Sequence, residues 1–268
     1  MKTSYGLDLA GYSSGRSSLA KATFEEGAGF SVVVYRGHAF AHRLKGRDPI
    51  VPLAERESQL LARCRPLYVD VPIDLQRLPN PHPVYFTWQL TRRPVDRAFN
   101  ALPPLADRLG SPVARLAHLL GEDRDALGKW LFETYPAACL KLLLRLRPSY
   151  KLQTAERQAG EWIGDDGLVD ILRSLRVTAE DGAVVNDDDL DAIVCALCGV
   201  LPNESLLQGQ ALEEEIRRGL EVKTRPQDRD HLVTAGPKGY VLIRSLPKNV
   251  SLQLSFENTP YASDEARV

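Results

Sequence analysis

Cysteine is scarce in this sequence, and long apolar runs are missing from it. The 268 residues include 4 cysteines, Cys64, Cys139, Cys195 and Cys198, which are too few and too scattered for a disulfide framework, so reduced thiols are expected. No apolar run approaches the roughly 20 residues that a membrane-spanning helix needs. Asp8 falls where a signal peptide needs its apolar segment. The sequence therefore predicts a cytoplasmic protein with no membrane partner.

An excess of charge of either sign is also missing. The 34 Lys and Arg residues nearly balance the 35 Asp and Glu residues, and the formal net charge is -1. A nucleic-acid partner would therefore have to be bound by a local basic patch. Aromatic residues make up only 7% of the chain, but the 44% of hydrophobic and 26% of charged residues exclude a disordered, collagen-like or coiled-coil protein. They predict an ordinary globular protein with a substantial core.

The order of the predicted elements indicates an α/β fold. Apolar segments at 5–10, 18–24 and 30–35, separated by turn residues, predict an antiparallel meander of three strands. The pattern then changes to strands at 66–71 and 130–134 that alternate with helices. The predicted helices cover 51–63, 137–147, 154–162, 167–175, 189–200 and 212–219, and a last strand covers 239–243.

The simplest organisation is a single domain over residues 1–268. Prolines are dense between residues 75 and 128, and proline interrupts both helices and sheets. This stretch is interpreted as a helical insertion within the domain.

Three of the predicted strands carry a carboxylate inside or at the end of an apolar run: Asp8, Asp70 and Glu133. Burying an ionised carboxylate is costly unless it is hydrogen-bonded, paired with a base or bound to a metal. One such residue is typical of a satisfied structural carboxylate, whereas three in one chain favour a common site.

A fourth acidic element opens the apolar helix that follows Asn186. Capping and the helix dipole explain part of this acidic run. Asp191, however, lies inside the helix beside small apolar residues, and Asp188 shares its face three residues earlier. Carboxylates that converge from strands and a helix suit Mg²⁺ or Mn²⁺. Because two such ions about 4 Å apart can activate water and stabilise a leaving oxygen, the residues point to metal-dependent phosphoryl chemistry.

Five short segments occur in a distinctive order along most of the chain. They are GLDLAG at 6–11, VDVPI at 69–73, RPVDR at 93–97, ETYP at 133–136 and DDLDA at 188–192. Together they resemble the family called domain of unknown function 429, described as predicted nucleases of RNase H fold. The resemblance implies a mixed five-stranded sheet flanked by helices, and hydrolysis of nucleic-acid phosphodiester bonds by a two-metal mechanism.

The resemblance also implies roles for individual residues. Asp8 would be the ligand of both metals on the first strand, and Asp70 the ligand on the fourth. Asp191, with Asp188, would supply the helix ligand, an acidic pair that is also similar to the one in RuvC-type junction resolvases. Glu133 would be a further catalytic residue that lines the site, without a defined contact to a metal.

Basic residues near these segments are the candidates for binding phosphates, because guanidinium groups suit phosphate contacts. Arg93 and Arg97 are one helical turn apart with Asp96 between them, and they form either a substrate-facing patch or a structural ion pair. Lys151, after the Glu133 strand, is the third candidate. Junction resolvases are dimers with strongly basic clefts, whereas this chain is slightly acidic. The oligomeric state, a dimer included, and the choice between DNA and RNA are left open.

Two other functions compete with the nuclease. Gly6, Asp8 and Gly11, followed by Ser13 and Ser14, resemble the phosphate loop of actin-like sugar kinases, but a chain of 268 residues without a second phosphate loop is a poor match. The other alternative is a metal- or nucleotide-binding protein without turnover, since fold does not imply function. The C-x-x-C formed by Cys195 and Cys198 lies in an apolar helix without a second pair, which favours packing over zinc binding.

Overall fold

The protein is described by a computed structural model over residues 1–46, 48–74, 85–101, 107–121, 123–144, 177–179, 185–248 and 251–258. The predicted helices at 154–162 and 167–175 lie outside the described residues. Lys151 and part of the predicted insertion at 75–128 also lie outside them.

Seven described strands form one mixed sheet, in the order β5-β4-β1-β2-β3-β9-β6, and β7 pairs with β8 in a separate two-stranded sheet. The strands are β1 (Lys2–Asp8), β2 (Ser18–Glu25), β3 (Gly29–Arg36), β4 (Leu67–Val69), β5 (Leu131–Glu133), β6 (Val177–Ala179), β7 (Leu206–Leu207), β8 (Leu242–Ile243) and β9 (Leu252–Asn258).

The predicted antiparallel meander is confirmed, because β2 pairs antiparallel with both β1 and β3. The switch to parallel strands is also confirmed, since β4 pairs parallel with β1 and β5 pairs parallel with β4. The fold is therefore an α/β fold with a mixed sheet, as predicted.

The predicted number of five strands is too low, because β9 pairs parallel with β3 and β6 pairs parallel with β9. The strand predicted at 239–243 is shorter than expected and lies outside the main sheet. It forms β8 of the two-stranded sheet, in which Leu242 pairs with Leu207 of β7. Residues just before it follow the edge of β5 instead: the amide of Glu133 donates to the carbonyl of Gly239 (2.9 Å).

Six helices are described. They are α1 (Val51–Arg63), α2 (Pro94–Ala98), α3 (Asp107–Leu120), α4 (Pro136–Leu144), α5 (Asp187–Val200) and α6 (Gly209–Glu221). The bounds predicted for α1 are confirmed at both ends, and α5 begins two residues earlier than predicted because Asn186 caps it. The short 3₁₀ helices are Ala39–Ala41, Thr87–Leu90, Arg124–Ala126, Asn203–Ser205 and Pro226–His231. Over the described ranges, no helix has the length and apolar character needed to cross a membrane.

Helices cover both faces of the sheet, and the alternation of side chains along each strand supplies a core to each face. On β2, Leu19 belongs to the core that contains residues of α1 and α3, whereas the adjacent Ala20 belongs to the core that contains α5. The sheet is thus the middle layer of three.

The contact between α5 and β1 is close enough for backbone to touch backbone. A Cβ atom added to Gly6 would lie 2.1 Å from the carbonyl oxygen of Ala192, and one added to Gly199 would lie 2.3 Å from Cβ of Ser4. The hydroxyl of Ser4 also donates to the carbonyl of Ala196 (2.5 Å). Glycine is therefore required at both positions, and α5 is fixed directly over the first strand.

Candidate metal centre

Two of the predicted ligands lie side by side at the end of neighbouring parallel strands. Asp8 is the last residue of β1, and Asp70 follows β4 immediately. The pairing of Leu7 with Val69 sets the register, and the amide of Asp70 donates to the carbonyl of Leu7 (3.1 Å). Because the strands are parallel, both carboxylates lie at the same edge of the sheet.

Helix α5 brings the third carboxylate to this edge. Asp191 is one residue before Ala192, whose carbonyl touches Gly6, and Gly6 is two residues before Asp8. Asp191 is completely buried, while Asp8 and Asp70 are half-buried. One carboxylate oxygen from each of Asp8, Asp70 and Asp191 lies within 4.8 Å of the other two. The structure therefore brings together three carboxylates that the sequence predicted as metal ligands.

The chemistry of this cluster fits a hard divalent cation. Three carboxylates this close repel one another, and a bound cation would offset that repulsion. All three donors are oxygen atoms, which suit Mg²⁺ or Mn²⁺. Cys195 lies one turn after Asp191 on the same helix, and burial together with the negative charges of Asp70, Asp191 and Asp8 raises the pKa of its thiol well above the usual value. The donors that lie within reach of one another are the three carboxylates.

Asp188, the fourth predicted ligand, lies half-buried in the first turn of α5 and outside the group of three carboxylates. The adjacent Asp189 anchors the helix instead. Its carboxylate accepts two 2.6 Å bonds from Arg36 and a 2.7 Å bond from the hydroxyl of Ser18, and its amide donates to the cap residue Asn186. Two residues of the acidic run therefore have different roles. Asp191 belongs to the carboxylate cluster, and Asp189 fixes the start of α5 to β2 and β3.

Glu133 occupies the end of β5, but its carboxylate is committed to protein partners. It accepts bonds of 2.8 and 2.6 Å from the guanidinium of Arg93 and one of 2.9 Å from the amide of Ile73. Burial raises the pKa of Glu133, and the charge of Arg93 counteracts this effect. Ile73 is three residues after Asp70, so Glu133 fixes the loop that carries a predicted ligand.

The sequence left two roles open for Arg93, a substrate-facing patch or a structural ion pair. The structure shows the ion pair. The side chain of Arg93 is 1% exposed and also binds the carboxylate of Asp96. It therefore presents no guanidinium to a substrate, contrary to its predicted role in substrate binding. Arg97 is half-buried at the carboxyl end of α2.

An ion pair that the sequence analysis missed holds the loop after β1. Arg115 of α3 donates to the carbonyls of Ala10 (2.6 Å) and Phe40 (2.9 Å) and to the carboxylate of Glu57, and its guanidinium carbon lies 4.4 Å from the centre of the Tyr12 ring. Arg115 and Glu57 are both almost completely buried. Ala10 is two residues after Asp8, so this pair fixes the position of Asp8. The only sequence signal was a charged residue on the apolar face of each helix.

Part of this site falls within a segment that matches a known family. Residues 100–205 match the model of the family described as protein of unknown function, DUF429. The DUF429 segment contains Glu133 and Asp191, while Asp8 and Asp70 precede it. This match supports the family that the sequence motifs indicated, and its description assigns no activity. No curated protein and no solved structure matches the chain.

Proposed function

We propose that this protein is a nuclease that hydrolyses phosphodiester bonds of nucleic acid with Mg²⁺ or Mn²⁺ bound by Asp8, Asp70 and Asp191. The observation that carries this proposal is the approach of the three carboxylate oxygens to within 4.8 Å at one edge of the sheet. This arrangement suits divalent cations with oxygen ligands, and phosphodiester hydrolysis is a typical reaction of such clusters.

The topology of the sheet supports the proposal. The order β3-β2-β1-β4-β5 consists of three antiparallel strands followed by two parallel ones. This is the sequence of strands expected of an RNase H-like fold, and β9 and β6 extend it beyond β3. Asp8 lies on β1 and Asp70 directly after β4, within these five strands, and Asp191 lies on α5, which packs on β1.

The chain's own residues would hold and orient the metal ligands. When bound, the cations would activate a water molecule and stabilise the leaving oxygen. Arg115 fixes the loop after Asp8, and Glu133 with Arg93 fixes the loop after Asp70. Asp188 is proposed as an additional ligand from the first turn of α5.

The test combines cleavage with metal binding. Labelled single-stranded, duplex, RNA–DNA hybrid and four-way-junction substrates are incubated with Mn²⁺ and wild type, Asp8→Asn or Asp191→Asn, and Mn²⁺ affinity is measured by calorimetry. We expect each variant to lose about 100-fold or more in both Mn²⁺ affinity and cleavage. Asp230→Asn, at an exposed position, is the matched control and should behave as wild type.

Unchanged Mn²⁺ affinity in both variants would contradict the proposal. Mn²⁺ binding by wild type without cleavage of any substrate would contradict the nuclease and favour a metal-binding protein without turnover or a small-molecule phosphohydrolase.

A further inference from the structure

The hairpin loop between β1 and β2 lies directly beside the candidate metal centre. Residues 9–17 form this loop, and the residues that flank it, Asp8 and Ser18, pair across the two strands. The loop therefore projects from the edge of the sheet at which Asp8 and Asp70 lie. Because three residues span at most about 11 Å, the Cα atom of Gly11 lies within that distance of the Cα atom of Asp8.

A second segment of the chain packs against this loop. The amide of Leu44 donates to the carbonyl of Tyr12 (2.9 Å). A Cβ atom added to Gly15 would lie 2.8 Å from Cβ of Arg43. Arg16 follows Gly15 directly, so Arg16 and Arg43 are held on two segments whose backbones touch.

Three cations on these segments, Arg16, Arg43 and Lys45, have no carboxylate partner among the described residues. These loop cations are all exposed, and none of their side chains forms an ion pair or a hydrogen bond with any residue that the structure describes. The neighbouring carboxylate of Asp48 accepts a bond from the backbone amide of Lys45 (2.6 Å) and not from its ammonium. Like charges brought together in this way attract an anion.

The loop also offers neutral donors. Ser13 and Ser14 are exposed in the middle of the loop, and their hydroxyls make no hydrogen bond within the described ranges. The amide of Ser14 donates to the carbonyl of Gly11 (3.0 Å), which closes residues 11–14 into a turn. Guanidinium groups and hydroxyls beside a tight turn are typical contacts of phosphate oxygens.

Contacts at both ends hold the loop in one position. The amide of Ala10 donates to the hydroxyl of Ser17 (2.9 Å), and the carbonyl of Ala10 accepts from Arg115 (2.6 Å). A Cβ atom added to Gly11 would lie 2.2 Å from Oγ of Ser111, so α3 packs closely on the loop. A site that is ordered before its ligand arrives loses less conformational entropy on binding.

We propose that the loop cations, with the hydroxyls of Ser13 and Ser14, form a binding site for phosphate groups of a nucleic-acid strand that extends past the metal centre. The choice of a nucleic-acid ligand rests on the proposed nuclease function, whereas the phosphate chemistry rests on the exposed cations and hydroxyls. Since the loop is fixed relative to Asp8, the bound phosphate would set which bond of the strand reaches the metal centre.

The first experiment measures binding without metal, so that it does not depend on the carboxylates. Anisotropy of a labelled single-stranded oligonucleotide in EDTA is followed at several salt concentrations for wild type and for Arg16→Ala/Arg43→Ala. We expect the double variant to bind about tenfold or more weakly. Its slope of log K against log salt should become shallower by about 1.4, since each phosphate contact on a single strand contributes about 0.7.

Lys2→Ala/Arg229→Ala is the matched control for charge. It removes two exposed cations that also have no described carboxylate partner, and Lys2 lies at the end of β1 remote from Asp8. This control should keep the wild-type slope. Alanine at position 43 retains the Cβ atom that packs on Gly15, so thermal unfolding of Arg16→Ala/Arg43→Ala should match that of wild type.

A second variant, Ser13→Ala/Ser14→Ala, tests the neutral donors. We expect it to bind the oligonucleotide about threefold to tenfold more weakly with an unchanged salt slope, because a hydroxyl that donates to a phosphate releases no counterion. This result would separate a built phosphate site from a general attraction by positive charge. Wild-type affinity in the serine variant would contradict the proposal.

Three further results would overturn the proposal: no oligonucleotide binding by wild type, equal binding by wild type and Arg16→Ala/Arg43→Ala, or a slope changed as much by the charge control. Displacement of the oligonucleotide by inorganic pyrophosphate at an equal concentration of phosphate groups would also overturn it, in favour of small phosphorylated ligands.

Mn²⁺ affinity and cleavage keep this proposal distinct from the proposed function. The arginine and serine variants should bind Mn²⁺ as wild type does, whereas Asp8→Asn should not. Oligonucleotide binding that depends on Arg16 and Arg43 without cleavage of any substrate would contradict the nuclease alone. Cleavage by wild type together with unchanged oligonucleotide binding by Arg16→Ala/Arg43→Ala would contradict the phosphate site alone.

Discussion

Arg93 and Arg115 are both buried and paired with a buried carboxylate. Arg115 itself donates to the carbonyl of Ala10, two residues after Asp8, whereas Glu133, the partner of Arg93, accepts from the amide of Ile73, three residues after Asp70. A buried ion pair adds little net stability, but removal of one partner leaves an uncompensated charge in the interior. The two arginines are thus positioning residues for the loops after Asp70 and Asp8.

At this scale we predict that Arg115→Leu destabilises the protein by about 3 to 5 kcal/mol, because Glu57 is left buried without a cation. Urea unfolding measures the change. Arg115→Leu/Glu57→Leu should recover a large part of it, since both charges are then removed. Lys129→Leu, which breaks an exposed pair with Asp125, should cost less than about 1 kcal/mol. Equal stabilities of the single and double Arg115 variants would contradict this account.

The proposed ligands were within reach of sequence reasoning because a carboxylate inside an apolar run is conspicuous by itself. The distant partners of Arg93 and Arg115 were not, because Glu133 and Glu57 lie 40 and 58 residues away along the chain, whereas Asp96 is only three residues from Arg93. Such pairs are set by tertiary packing, and the local pattern carries no information about it.

Among the elements, α5 and β1 determine where the site forms. Their contact depends on Gly6 and Gly199, which leave the backbones free to touch. The sequence showed an apolar helix with an acidic start, but the requirement for glycine arises only when helix and strand are placed together.

We predict that Gly6→Ala destabilises the protein by about 3 kcal/mol or more and weakens Mn²⁺ binding, because the added Cβ atom pushes α5 away from β1 and separates Asp191 from Asp8. Thermal unfolding and calorimetry measure the two effects. Gly46→Ala is the matched control, since a Cβ atom at Gly46 meets no atom within 4 Å. A Gly6→Ala protein with wild-type stability and affinity would show that the contact is not as close as described.

Element prediction succeeded where the local pattern was strong and failed at the end of the chain. The bounds of α1 follow from regular apolar spacing. Strand β9 was missed although Leu252 and Leu254 alternate with polar residues, the period of a half-buried strand. No local pattern indicates that β9 lies beside β3, because the two strands are separated by most of the sequence: Phe30 pairs with Leu252.

For the molecule as a whole, the central sheet is shared by the two cores. Trp88 packs against the core on the α5 side, and Trp130 packs against the core on the α1 and α3 side. Because the same strands contribute to both cores, neither should persist without the other.

We therefore predict that both cores unfold in one cooperative transition. Two variants, each with Trp162→Phe, retain either Trp88 or Trp130 as the fluorescent probe for urea unfolding. The midpoints reported by the two probes should coincide with each other and with that of circular dichroism. Separate midpoints would instead divide the chain into two independently folding units.

The pairing of β9 with β3 also has a consequence for biosynthesis. Phe30 lies opposite Leu252, so the partner of an early strand is translated more than 200 residues later. At about 5 to 20 residues per second, a ribosome needs roughly 10 to 45 s to supply it. During that interval the nascent chain has β3 as an open edge, the kind of surface that recruits strands from other polypeptides. Chaperones that cover this edge during translation should therefore increase the yield of folded protein.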